Sequence, residues 1–285
     1  MKAGDERNAG VGIDLKMQNN KELLIQNVVK RGICVGCGAC VIDSPISKVR
    51  MSSEPGGPVP DFTGCQESVD EIFWEACPGK GIDYPKLYND YYGKLPDDWK
   101  LGIVEDLWIG FASSPAIRMA GASGGVTTAV LIHLLETDRI DGAVLVRQGA
   151  PSPMEASFFI ARTREEILAC AQSVYIPVSM LDSIREFIPG ERYAMTCVPE
   201  QSAALRVLQQ AGHPRASQVE FVLGPYTGTA LDSRAIRALL RSHKVDDDDP
   251  VTSLEWRAGE WPGYLEIKTA SGRVIRSKKV YYNYL

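Results

Sequence analysis

The sequence predicts an α/β (α+β) core preceded by a small module, and three observations support that division. A chain of 285 residues with 45% hydrophobic and 24% charged content has enough apolar residues to bury one large core. From about Leu107 onward, helical and strand-like segments alternate, the pattern of an α/β fold. Before that point a cysteine run and stretches rich in Pro, Gly and Ser suit a compact, loop-rich unit. The expected divisions are an N-terminal tail and helix over 1–30, the small module over 31–84 and the core over 85–285.

The first dozen residues are polar and Gly-containing, and a mobile tail is expected there. Leu23, Leu24 and Val28 share one face of a helix predicted from about Asn20 to Lys30, which delivers the chain to Cys34-Val-Gly-Cys37-Gly-Ala-Cys40. Three thiolates two residues apart wrap one corner of a metal group. The ferredoxin pattern is C-x2-C-x2-C-x3-C-P, with the fourth Cys serving a second cluster where two are present. Here that position is Ser44, followed by Pro45, so a set for one [4Fe-4S] cluster is left. Cys77-Pro78 matches the remote Cys-Pro of ferredoxins and is a better fourth ligand than Cys65. Gly36 and Gly38 permit the positive φ that a loop wrapped around sulfide needs. Structural zinc is the alternative, since C-x2-C pairs also hold zinc, but zinc sites usually use two separated pairs. The module thus reads as ferredoxin-like, with a short ribbon around Val49 to Met51 and a helical stretch from Glu67 to Glu75 that brings Cys77 back. The cluster of Tyr88, Tyr91 and Tyr92 reads as a connector.

The clearest phrase of the core is Gly121-Ala-Ser123-Gly124-Gly125-Val126-Thr127-Thr128, running into a helix through Glu136. Val126, Val130, Leu131, Leu134 and Leu135 are expected on its buried side, and Asp141 to Val146 follows as a buried strand. A Ser-Gly-Gly turn opening a helix offers backbone N–H groups and the positive helix end to a pyrophosphate. A Ser N-cap with glycines kept for close packing gives the same letters. Asp246 to Asp249 reads as a solvated acidic loop.

Composition narrows the function classes. A net charge of −5 offers no basic footprint for nucleic acid, and three His make a His-rich metal site improbable. Seven Cys, an odd number, with no apolar N-terminal segment, argue for free thiols in the cytoplasm. No span long enough for a membrane is evident. Oligomeric state is not legible.

These residues together resemble the coenzyme F420 hydrogenase/dehydrogenase beta-subunit family. The cysteine run with its remote Cys-Pro-Gly comes first, followed by Ser-Gly-Gly-Val-Thr-Thr and Asp-Gly-Ala-Val. Ser173-Val-Tyr175-Ile-Pro177 is similar to the family's Ser-x-Tyr-x-Pro, Ala203-Ala-Leu-Arg206 to its Ala-Ala-Leu-Arg, and Trp261-Pro-Gly263 to its Trp-Pro-Gly. The resemblance implies an oxidoreductase binding FAD and a [4Fe-4S] cluster in one subunit. It would move electrons between ferredoxin, or a hydrogenase or dehydrogenase subunit, and a hydride acceptor such as coenzyme F420; some relatives reduce chlorophyll precursors instead. On that resemblance Cys34, Cys37, Cys40 and Cys77 would ligate the cluster. Ser123, Gly124, Gly125 and Val126 would hold the flavin phosphates, Thr127 would add a hydroxyl donor, and Ser173 and Tyr175 would lie near the flavin. No catalytic acid or base is nominated.

Two departures qualify the resemblance. Where the family has Gly-x-Pro-Cys this chain reads Cys197-Val-Pro199-Glu200, so Cys197 and Cys170 are expected to be ordinary buried thiols. Relatives also continue beyond Val280-Tyr-Tyr-Asn-Tyr-Leu285 with further cysteines, so an incomplete C-terminal part is expected. A subunit that keeps the cluster but has lost flavin binding is the rival reading.

Overall fold

A computed structural model describes residues 19–45, 48–52, 57–228, 230–231, 233–260 and 263–278. The expected tail before residue 19, the Trp261-Pro262 pair and the aromatic run from Val280 lie outside the described residues.

Helix α1 (Asn20–Leu24) is capped by the Asn19 side chain, which accepts from Lys21 N–H, and continues as a π-helical turn over Ile25–Val29. This is the helix expected before the cysteine run. The run itself is loop with a single 3-10 turn at Ala39–Val41. Strands β1 (Arg50–Ser52) and β2 (Val59–Asp61) pair antiparallel as a two-stranded ribbon. Asp70 caps α2 (Glu71–Glu75), after which Cys77 leads into a 3-10 turn at Pro78–Lys80. The tyrosine cluster, expected as a connector, is helical. Asp83 caps a nine-residue helix, α3 (Tyr84–Tyr92), and Gly93 in the left-handed region ends it.

The core contains a four-stranded mixed sheet in the order β4-β3-β5-β6. β3 (Gly142–Gln148) forms a hairpin with β4 (Ala156–Ala161) and pairs parallel with β5 (Tyr193–Thr196). Helix α7 (Pro199–Gln210) crosses from β5 to the parallel strand β6 (Val219–Leu223). Strand alternation divides the side chains between two faces. Ala143, Leu145 and Ala194 pack with Leu131 and Ile132 of α5 (Val126–Glu136) and Ile167 of α6 (Arg164–Ala169). Val144, Tyr193 and Met195 face the other way, toward Leu205 and Leu208 of α7. A capping box between Thr163 and Glu166 fixes the start of α6. In α5, Leu131 and Leu134 are buried as expected, but Val126 and Val130 are exposed, and Thr128 and Ile132 take inward positions instead. The inward side of the helix therefore runs through Thr128, Leu131, Ile132 and Leu134.

A third sheet, β7-β8-β9 (Val251–Ala258, Tyr264–Thr269, Val274–Lys278), is antiparallel throughout and shares a core with α8 (Ser233–Ser242). Trp256 on β7 is 2% exposed and ties this sheet to the four-stranded one through Nε1–H, which donates to Gln148 Oε1 at 3.0 Å.

The N-terminal segment shares one apolar core with the four-stranded sheet. Val41, Ile42, Phe73 and Cys37 belong to the same buried cluster as Leu181, Ile184, Met195 and Leu205. At the join, the Leu181 N–H donates to the Cys37 carbonyl at 3.0 Å, at the start of a 3-10 segment over Met180–Glu186. Gly38 makes the approach feasible. Its φ is 88°, and a Cβ added there would lie 2.7 Å from the Asp182 nitrogen. Gly36, at φ 65°, is crowded in the same way by the Pro58 carbonyl at 2.5 Å.

Gly38→Ala is therefore expected to lower stability by roughly 1–3 kcal/mol through left-handed strain, with the backbone clash adding to it, read as a fall in the urea midpoint of the metal-free chain. Trp256→Phe keeps the apolar bulk but leaves Gln148 without its donor, and should cost roughly 1–3 kcal/mol. Trp256→Ala should cost about 3–5 kcal/mol; no loss in Trp256→Phe would show that the hydrogen bond contributes nothing.

Candidate functional site

Two groups of predicted residues are brought together, in different parts of the fold. Cys34, Cys37, Cys40 and Cys77 all line one apolar cavity, closed by Leu24, Val28, Met51 and Phe73. The loop from Cys34 to Cys40 supplies one wall, and α2 returns the chain to supply Cys77. Cys65 does not line it. Its thiol points instead toward the Glu67 carbonyl at 3.9 Å, and its own carbonyl accepts from Lys21 Nζ at 2.7 Å.

Burial raises the thiols of Cys34, Cys37 and Cys40 above their usual range, with Cys37 pushed up to about 12. The neighbouring sulfurs add to it, since each thiolate would repel the others and all three feel Cys77. Four mutually repelling thiolates in an apolar cavity need positive charge among them, which is what the irons of a cluster supply. Among the described residues no three His, Cys, Asp or Glu side chains converge tightly enough to hold a single metal ion. The donor set suits a polynuclear group better, because in a cubane each iron takes one thiolate and the sulfurs need not meet at one point. The cavity is about 20 Å³, the room of a water molecule. A cluster enters it only by displacing the loops that carry the thiols.

The second group surrounds the start of α5. Gly125, at φ 71°, occupies the N-cap position, with no side-chain cap, so Ser123 is not the cap. Ser123, Val126 and Thr127 are exposed and Gly124 is half-buried. The glycines have packing reasons of their own. A Cβ on Gly124 would lie 3.1 Å from the Gly110 carbonyl and one on Gly125 would lie 2.8 Å from the Ile117 carbonyl. The Gly124 carbonyl accepts from Ala112 N–H at 2.7 Å, which lays the segment before Ala112 along the turn. That segment presents Trp108, Ile109 and Phe111 to solvent, and the guanidinium of Arg118, on the short helix α4 (Pro115–Ala120), sits 4.0 Å over the Phe111 ring. The turn therefore combines free backbone N–H groups with exposed apolar surface.

Ser173 and Tyr175 are both half-buried. Tyr175 reaches the turn through Arg257, a residue the sequence did not single out. Arg257 Nη2 donates to the Ala122 carbonyl at 2.6 Å, and Nη1 donates to the Tyr175 hydroxyl at 3.2 Å. The Tyr175 ring also stands edge-on to Trp256, 5.4 Å between centroids. Arg257 was illegible in sequence because its partners lie 82 and 135 residues away and no local pattern marks them.

Cys197 is buried and its thiol is pushed up to about 12, while Cys170 is half-buried with its thiol raised by burial. Glu200, where the family has Cys, sits in the first turn of α7, where a carboxylate is favoured by the helix dipole. Among the described residues no helix is long and apolar enough to cross a membrane.

Comparison with known proteins places these residues in context. A 247-residue alignment with the coenzyme F420-dependent sulfite reductase of Methanocaldococcus jannaschii is 25% identical, covering 79% of this chain and 35% of that protein. The chain thus spans about a third of the length of this curated relative. A structure titled as a xenon derivatisation of the F420-reducing [NiFe] hydrogenase complex of Methanosarcina barkeri superposes with a TM-score of 0.47 at 20% identity, over 63% of this chain and 65% of that one. Residues 107–185 match the N-terminal family model of the coenzyme F420 hydrogenase/dehydrogenase beta subunit, and residues 190–281 match its C-terminal model. Both halves are present in order and together cover more than half the sequence, so the chain belongs to the coenzyme F420 hydrogenase/dehydrogenase beta-subunit family.

Proposed function

We propose that the chain is an iron-sulfur flavoprotein oxidoreductase that passes electrons between a [4Fe-4S] cluster, FAD and a hydride acceptor such as coenzyme F420. The observation that carries this reading is the convergence of Cys34, Cys37, Cys40 and Cys77 on one apolar cavity, with Cys65 excluded from it. The module, though only a short ribbon and small helices, works as a ferredoxin-like holder. Family membership supports the acceptor, and the relative is itself named as coenzyme F420-dependent. A cluster supplies single electrons and a flavin supplies paired-electron and hydride chemistry, so the two together convert one kind of transfer into the other.

The chain's own residues bind, orient and exclude water. The four cysteines hold the cluster, and Leu24, Val28 and Phe73 keep water from the sulfurs. Ser123 and the free N–H groups of Gly124, Gly125 and Val126 receive the flavin phosphates at the positive end of α5, with the Thr127 hydroxyl beside them. Arg257 fixes Tyr175 against the turn, with Ser173 two residues before it, and the exposed strip around Trp108 to Phe111 offers apolar surface to the ring system. The electron partner is a ferredoxin or a hydrogenase or dehydrogenase subunit. All seven cysteines are free, which suits a reducing compartment such as the cytoplasm.

Anaerobic purification of the full chain tests the reading. Flavin bands beside the broad cluster absorption are expected; a cluster band alone would mean a non-catalytic carrier, and a colourless preparation holding zinc would overturn the proposal. Cys77→Ser should abolish bound iron and sulfide, whereas Cys65→Ser should leave both at the wild-type level. The reverse pattern would make Cys65 the fourth ligand. Arg257→Met should weaken FAD binding about tenfold, the equivalent of roughly 1.4 kcal/mol, measured by flavin fluorescence titration, with little change in iron content.

A further inference from the structure

We propose that Arg185 is a positioning residue for the four-cysteine site, its buried guanidinium serving as the fixed positive charge that sets the potential at which that site accepts an electron. The inference rests on the cluster reading above. Arg185 closes the 3-10 segment on which the cysteine loop docks, four residues after Leu181 bonds the Cys37 carbonyl. Its side chain is only 4% exposed, and Nη1 donates to the Val49 carbonyl at 2.9 Å. Nε lies 2.8 Å from Asp182 Oδ1 without directing its N–H at that oxygen, and Nε and Nη2 are buried with no hydrogen-bond partner.

A guanidinium stays charged in a protein, and leaving its N–H groups buried and unmatched is costly unless negative charge is close. Asp182 is one such group; negative charge gathered at Cys40 when the site is loaded would be another, and would favour the charged guanidinium. Burial opposes charge on both Arg185 and Asp182, and Glu186 adds a third ionisable group on the same segment. The pair is therefore poorly stabilised by its own contacts and gains from negative charge on the cysteine side.

When a one-electron donor of the ferredoxin or dithionite class reduces the site, the electron leaves one more negative charge there. Arg185 gains and loses neither proton nor electron, but its field favours the reduced state. Asp182 opposes it.

The test is a redox titration of the anaerobically loaded full chain with dithionite at pH 8, followed by electron paramagnetic resonance. Arg185→Gln should require an about tenfold higher reduced-to-oxidised ratio of mediator for half-reduction, a fall of about 59 mV for one electron. Arg185→Lys should recover more than half of that shift. Asp182→Asn, which removes the opposing carboxylate, should move the midpoint upward. A merely structural role would not give opposite signs, so an unchanged midpoint in Arg185→Gln, or both variants moving the same way, overturns the proposal. If Arg185→Gln fails to load, Asp182→Asn decides: an upward shift supports the proposal and any other result overturns it. A wild-type chain that takes up no iron and sulfide overturns both this inference and the cluster reading, whereas a loaded wild type with indifferent variants overturns this inference alone.

Discussion

The docking of Cys37 and Gly38 onto the Met180–Glu186 segment is the contact on which the rest of the arrangement depends. One hydrogen bond, from Leu181 N–H to the Cys37 carbonyl, fixes the height of the loop, and the missing Cβ of Gly38 allows the two backbones to meet. A bond of that kind contributes only about 1 kcal/mol net. Its importance is geometric. It places the cysteine loop over the same apolar cluster that carries β5 and α7, so Val41 and Ile42 are buried at no more than 1% exposure against Leu181, Ile184 and Leu205. The sulfurs are thereby held at a fixed position relative to the central sheet.

That shared core separates this site from small metal domains that fold only when loaded. In a zinc finger the metal supplies the folding free energy, because little else is buried. Here Leu24, Phe73, Val41 and Ile42 bury apolar area whether or not the thiols are ligated. The raised thiols of Cys34, Cys37 and Cys40 then mean that these three groups stay protonated at ordinary pH, which is compatible with a folded module around an apolar cavity. On the proposed cluster reading, loading would have to release those protons and open the cavity. Iron–sulfur bonding would offset both costs, so affinity for the metal group would rise with pH.

Local chemistry was legible in the sequence, and long-range chemistry was not. The cysteine spacing, the two positive-φ glycines between the cysteines, the helix before the run and the strand beginning at Gly142 all follow from patterns within a few residues, and each lies where expected. The α5 helix was legible in extent but not in orientation. Periodicity counted Val126 and Val130 as apolar, whereas packing sets the inward side at Thr128, Leu131, Ile132 and Leu134. The N-cap was left open for a related reason: Ser and Gly both suit that position by composition, and only backbone geometry selects Gly125. Arg185 and Arg257 carry no local signature at all, since their meaning lies in partners such as Val49 and Ala122, more than a hundred residues distant.

Arg257 also explains why the two halves of the family sequence belong together. The turn around Ser123 and the residue Tyr175 lie in the half spanning 107–185, while Arg257 lies on β7 in the half spanning 190–281. A lysine could reach one of the two acceptors but not both, because its ammonium is a single point, whereas the guanidinium fork spans the Ala122 carbonyl and the Tyr175 hydroxyl at once. The adjacent Trp256 stacks edge-on to Tyr175 and bonds Gln148 at the end of β3. Two consecutive residues of β7 thus lock the three-stranded sheet to both the turn and the central sheet. The register of β7 against β8 shifts between Glu255 and Ala258, and at this irregularity both residues reach Tyr175. The C-terminal sheet is in this sense packed against the turn at the start of α5, and its removal would take Arg257 from the Tyr175 hydroxyl and the Ala122 carbonyl together.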